Sequence, residues 1–76
     1  MEKILKILSD VRPDIDFESE TLLVEGGLLD SFDIVSIISE LNDAYEINIR
    51  VHDLKPENFN SLSAIQALVE RKLSEK

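Results

Sequence analysis

Gly26-Gly27-Leu28-Leu29-Asp30-Ser31-Phe32-Asp33-Ile34-Val35 is the stretch on which the reading of this chain turns. It is a loop feeding directly into a helix. The glycine pair permits a backbone turn that residues with a β-carbon resist, and Leu28-Leu29 can hold the loop against a core. Asp30 carries the short acceptor side chain that takes up orphan N–H groups of a first helical turn, so it reads as an N-cap. Asp33 stands three residues on, where the second acid of a capping box sits, although Glu or Gln is commoner there. Ser31 then occupies the first helical position, its hydroxyl outward at the positive end of the helix dipole. A phosphate ester there is electrostatically favoured. No base within the segment could activate that hydroxyl. The serine reads as a group that is acted upon.

From Ser31 to about Tyr45 the spacing predicts one helix, with Ile34, Ile37, Ile38, Leu41, Ala44 and Tyr45 on a buried arc. The opposite arc holds Phe32, Asp33, Ser36, Ser39, Glu40 and Asp43. Phe32 is the misfit, a large apolar residue on a polar face. Single exposed apolar residues are common, and a ring folded back over the helix start is a second ordinary explanation. The mixed polar rim around it favours a third, contact with a partner, with Val35 flanking the same region.

Before this helix, Ile4, Leu5, Ile7, Leu8 and Val11 recur at helical spacing and predict an amphipathic helix from Glu2 to Val11. Arg12-Pro13 ends it, since the residue before proline is pushed out of the helical region. Residues 14–30 form a long connection with Ile15, Phe17, Leu22, Leu23, Leu28 and Leu29 as anchors. Its alternating acids lack the Asp-x-Asp-x-Asp-Gly order and terminal Glu of a calcium loop, and no partner strand is evident. After the central helix, Glu46 to Phe59 is irregular, with Ile47 and Ile49 turned inward. Val51 to Lys55 is expected to form one short helical turn closed before Pro56. His52 stands alone, with no second ligand at a telling spacing, and reads as a surface or capping residue. Asn60-Ser61 offers a cap for a last helix, in which Leu62, Ile65, Leu68, Val69 and Leu73 repeat at three and four. Arg71, Lys72 and Lys76 suit its C-terminal dipole.

Seventy-six residues suffice for one domain, spanning 1–76, near the size where a single core is only just adequate. No cysteine is present, so neither disulfides nor thiolate metal sites can add stability. The charged start is too short in apolar run for a signal peptide or membrane span, which predicts a cytoplasmic protein without stable membrane insertion. Net charge is −8, and its placement matters more than its size: from Pro13 to Ile49 there are ten acids and no Lys or Arg. Such a middle argues against nucleic acid and anionic membrane and suits encounter with basic protein surfaces.

The pattern Gly27-x-x-Asp30-Ser31-Phe32-x-x-Val35 resembles the attachment motif of the acyl carrier protein family, and the similarity runs through essentially the whole chain. The resemblance implies an all-α fold, a small bundle of three main helices plus one short third helix, with a long loop between the first two. It implies 4′-phosphopantetheine, drawn from coenzyme A, carried as a phosphodiester on Ser31, with Asp30 assisting at the metal site of the modifying enzyme. No catalytic residue and no resident metal are expected. The expected partners are a phosphopantetheinyl transferase and an adenylate-forming ligase or acyl synthase or transferase, met through Phe32, Asp33, Val35, Ser36, Ser39, Glu40 and Asp43 by a monomeric protein. The family serves fatty acid, polyketide and D-alanyl pathways. Phe32 departs from the Leu or Met usual in fatty-acid carriers, Ser36, Ser39 and Asn42 dilute the helix charge, and Ile47 to Ser61 is longer. Those departures look more like D-alanyl carriers and carriers served by stand-alone adenylate-forming ligases. The competing expectation is a small acidic helical interaction module with no arm. An enzyme has little support: no nucleophile–base pair, ligand cluster or phosphate-cradling glycine loop is present.

Overall fold

The computed structural model describes residues 2–75. Four α-helices follow one another as α1 (Glu2–Val11), α2 (Ser31–Tyr45), α3 (Pro56–Phe59) and α4 (Leu62–Ser74), with a 3₁₀ turn at Val51–Asp53. No strand occurs among the described residues. The bundle of three main helices and one short one is thus the architecture that the resemblance implies. α1 packs on α2, α3 on α4, and α4 meets both α1 and α2.

The core is aliphatic, as the composition requires. Ile4 and Leu8 of α1, Ile37 and Leu41 of α2, and Leu62, Ile65, Leu68 and Val69 of α4 are buried together with Phe17, Leu23, Leu29, Ile47, Ile49 and Phe59 from the connections. Ile34, Ile38 and Tyr45 pack partly against it. Two expected anchors fall elsewhere: Leu22 is 53 % exposed and Leu73 is 41 % exposed. Leu22 begins the turn whose carbonyl receives Gly26 N–H, and Leu73 lies in the last turn of α4, past its buried residues.

The long first connection is closed on itself. Leu23 carbonyl accepts from both Leu28 and Leu29 N–H at 2.9 Å. Gly26 N–H lies 2.6 Å from Leu22 carbonyl, so near that a β-carbon on Gly26 would meet that oxygen at 2.5 Å. Gly27 takes φ +81, the left-handed region where glycine alone is unstrained. Asn60, just before α4, then fastens this loop from across the chain. Its carbonyl accepts Leu23 N–H at 2.8 Å, and its Oδ1 accepts Val24 and Glu25 N–H, each at 3.1 Å. Three backbone donors of an irregular loop are satisfied by one residue.

The far end of α2 is closed in a comparable way. Glu46 caps it in a left-handed conformation, φ 54, donating its N–H to Asn42 carbonyl. Ile47 N–H reaches the same carbonyl, and Ile49 N–H reaches Asn42 Oδ1 at 2.8 Å. Asn42, which the sequence offers only as a diluent of charge, holds Ile47 through its backbone carbonyl and Ile49 through its side chain, and both isoleucines are buried.

The short helix differs from its expected place. Val51–Asp53 forms the 3₁₀ turn, but Pro56 opens α3 instead of closing a turn before it. At the first helical position proline lacks only an N–H that would be unpaired anyway, and its fixed φ suits the helix. Ser61 is the N-cap of α4, accepting Ala64 N–H at 3.1 Å. At the other end of α4, Lys72 pairs with Asp53 at 2.7 Å and Arg71 donates to Asn58 Oδ1 at 3.2 Å. Both therefore bind side chains of the preceding segment; Lys76 lies outside the described residues.

Candidate functional site

The start of α2 is a complete capping box. Asp30 has extended backbone angles and its Oδ1 accepts Asp33 N–H at 2.9 Å, while Asp33 Oδ2 accepts Asp30 N–H at 3.3 Å. The reciprocal pair uses Asp where Glu is customary. The second acid is drawn inward: Asp33 Oδ2 also accepts from Arg12 Nη1 at 2.6 Å, and the Asp33 side chain is only 16 % exposed. Asp30 uses one carboxylate oxygen in the cap.

Ser31 opens the helix and is exposed. Its hydroxyl makes no hydrogen bond among the described residues. Beside it Phe32 is 85 % exposed and Val35 is 60 % exposed, so the ring neither joins the core nor folds back over the helix start. Ser36, Ser39, Glu40 and Asp43 continue along α2, all exposed. Of the residues around Ser31 that the sequence singles out, Phe32, Val35, Ser36, Ser39, Glu40 and Asp43 are exposed along α2, whereas Asp30 and Asp33 are engaged in the cap and Asp33 is further held by Arg12.

Arg12 is the residue at this site that sequence reasoning missed. Its place before Pro13 suggests only the end of α1. Its guanidinium grips Asp14 through Nε at 3.0 Å and Nη2 at 2.8 Å, while Nη1 donates to Leu28 carbonyl at 3.1 Å as well as to Asp33. The two carboxylates, Asp14 first, hold Arg12 still more firmly protonated, and Arg12 in turn holds Asp14 below the usual carboxylate range. A signal was present: Arg12 is the last base before the long acidic window.

A small apolar cavity of about 80 Å³ opens nearby, lined by Val24, Ile34, Leu54, Pro56 and Phe59 with Lys55 at its edge. No group of His, Cys, Asp and Glu among the described residues could hold a metal. His52 is exposed, 3.7 Å from Asp53.

Curated relatives are similar to this chain over most of its length. A D-alanyl carrier protein of Lactococcus lactis subsp. lactis (strain IL1403) is 31 % identical over 80 residues, spanning 97 % of this chain and 96 % of its own length. Another, from Lactococcus lactis subsp. cremoris (strain MG1363), is 32 % identical over 66 residues, spanning 87 % of this chain and 78 % of its own. The chain belongs to the acyl carrier protein family. No protein-family model matches it. Membership is thus carried by whole-length similarity, and the helical bundle is consistent with it. No helix among the described residues is long and apolar enough to cross a membrane.

Proposed function

We propose that this carrier protein holds an acyl or aminoacyl group as a thioester on a 4′-phosphopantetheine arm attached to Ser31, and passes it among partner enzymes. The observation that carries the reading is the exposed, unbonded Ser31 hydroxyl at the first position of a capped helix. A hydroxyl buried or bonded to the cap could not be reached. On modification, Ser31 Oγ gains a bond to phosphorus as the pyrophosphate linkage of coenzyme A breaks. Adenosine 3′,5′-bisphosphate leaves, and the hydroxyl proton passes to the transferase. The free N–H groups of the first turn of α2 favour the phosphodiester negative charge. Asp30 keeps one oxygen in the cap and has the other to offer the transferase's Mg²⁺. The bound arm supplies the thiol that forms the thioester. Since the chain has no cysteine, that thiol is the molecule's only one, and the cargo has no internal thiol to migrate to.

The carrier itself performs no chemistry in this reading. Phe32 and Val35 provide an apolar contact at the modification site, with Ser36, Ser39, Glu40 and Asp43 as its polar rim. A transferase and an adenylate-forming ligase, or an acyl synthase or transferase, are the partners it meets, as a monomeric single domain in the cytoplasm. The cargo we assign is small, an aminoacyl group such as D-alanyl or a short acyl group. The relatives' names support that.

The test is intact mass after incubation with a broad-specificity transferase, Mg²⁺ and coenzyme A. The parent is expected to gain one arm, and Ser31→Ala none, while melting at least about as high because alanine is the better helix former. A Ser31→Ala protein that still gains the arm, or a parent that never does, would leave an acidic interaction module in place of a carrier.

A further inference from the structure

Arg12 is bonded to residues on both sides of Asp30-Ser31, and nothing in its pattern of contacts is needed merely to end α1. Its own backbone is fixed: Arg12 N–H donates to Leu8 carbonyl at 2.9 Å, continuing the ladder of α1, and Pro13 follows. From that fixed base, Nη1 alone bridges two groups on either side of Asp30. One is the carbonyl of Leu28, two residues before it; the other is the carboxylate of Asp33, three residues after it. Asp33 in turn accepts Asp30 N–H, so the guanidinium, the loop and the cap form one connected unit. Asp14 holds the remaining edge of the guanidinium in a two-pronged grip, which fixes its plane. No bond in this unit involves the Ser31 side chain or the Asp30 carboxylate beyond its cap, so the groups to be worked on stay open.

We infer that Arg12 is a positioning residue for modification of Ser31: it references the start of α2 to α1, and so sets where the Ser31 hydroxyl and Asp30 carboxylate stand when the transferase engages. The inference rests on the proposed attachment at Ser31. A lone surface ion pair contributes little to stability, but this one joins a loop carbonyl to a helix cap. Misplacing a reacting group by about 1 Å can cost on the order of a hundredfold in rate. The loss falls on kcat, since alignment at the reacting atoms and not initial docking is disturbed.

The experiment measures arm transfer to Arg12→Gln, Arg12→Lys and Arg71→Gln, with amide exchange of the unmodified proteins followed in parallel. Arg12→Gln should lower kcat of transfer by roughly ten- to a hundredfold with KM changed little. Lys can reach one acceptor but cannot reproduce the fork, so Arg12→Lys should recover only part of the loss. Arg71→Gln makes the same charge change on α4, away from Ser31, and should transfer like the parent. Exchange in Arg12→Gln should quicken across residues 28–33 while the buried amides of α4 keep their protection. Unchanged exchange there, or a rate loss that Arg71→Gln reproduces, overturns the inference. So does a loss confined to KM, which would mean steering by charge. A parent that accepts no arm sinks the attachment reading instead, and the exchange comparison then still decides whether Arg12 orders the start of α2.

Discussion

At the start of α2 a dense polar unit of Arg12, Asp14, Asp30 and Asp33 leaves Ser31 and Phe32 standing in solvent. Beyond the other end of the same helix, Asn42, Asp53, Asn58 and Lys72 are as thoroughly bonded, yet the segment they hold seals Phe59 into the core. Both regions satisfy irregular backbone with side chains. They differ in what is left over. The first fixes its backbone and keeps the Ser31 hydroxyl and the Phe32 ring out of every internal bond; the second turns its phenylalanine, Phe59, inward. A well-bonded polar cluster is therefore no mark of function by itself, and the unengaged groups beside it are.

The two phenylalanines give the largest expected contrast. Phe59→Ala should lose about 3–5 kcal/mol by chemical denaturation, the usual range for a buried aromatic. Phe32→Ala should leave the unfolding midpoint nearly unchanged and slow arm transfer or cargo loading. A midpoint loss at Phe32 comparable to that at Phe59 would dissolve the distinction between the regions.

Next in size is the fastening of the first loop. Asn60→Ala leaves Val24 and Glu25 N–H without their acceptor, and a part-buried donor so orphaned costs roughly 1–3 kcal/mol. Asn60→Asp keeps an acceptor oxygen and should lose clearly less in the same denaturation. Equal losses would show that packing, and not these bonds, holds the loop. The cap comes after it: Asp30→Ala should lower stability by about 0.5–2 kcal/mol, with Asp30→Asn close to the parent in melting but slow in arm transfer. If Asp30→Asn is modified at the parent's rate, Asp30 is a cap and nothing more.

These contrasts also mark what the sequence made legible. α1, α2 and α4 follow from apolar spacing, and the Asp30 cap and exposed Ser31 from residue type at one position. What the sequence hid was the reach of three polar side chains: those of Asn42, Arg12 and Asn60 bond groups 7, 21 and 36 residues away. A polar residue in a loop looks the same whether it faces water or takes up an N–H. Pro56 misled for a related reason, since proline breaks a helix interior but suits its first position. Leu22 and Leu73 have core-forming side chains at positions where the fold has no core to offer them.

The smallest effect should appear at the acid edge, and it compares the two ion pairs directly. Burial pushes the Asp53 carboxyl up, but the Lys72 ammonium, Arg50 N–H and nearby charge outweigh it and hold it below the usual carboxylate range. Arg12 lowers Asp14 in the same direction. A carboxyl depressed in the folded state contributes stability above its unfolded value, and loses it as pH falls through the folded one. Melting temperature should thus be flat down to about pH 4 and decline below it, as each native carboxylate is forced to protonate. Asp53 is only 13 % exposed and its Lys72 partner 10 %, whereas Asp14 is 64 % exposed. Solvent screens the exposed pair more strongly. Asp53→Asn should therefore flatten the decline more than Asp14→Asn does, and salt should blunt only the Asp14 share. A decline insensitive to Asp53→Asn would mean that the segment before α3 is held by Phe59 and its backbone bonds, with the Asp53–Lys72 pair contributing little.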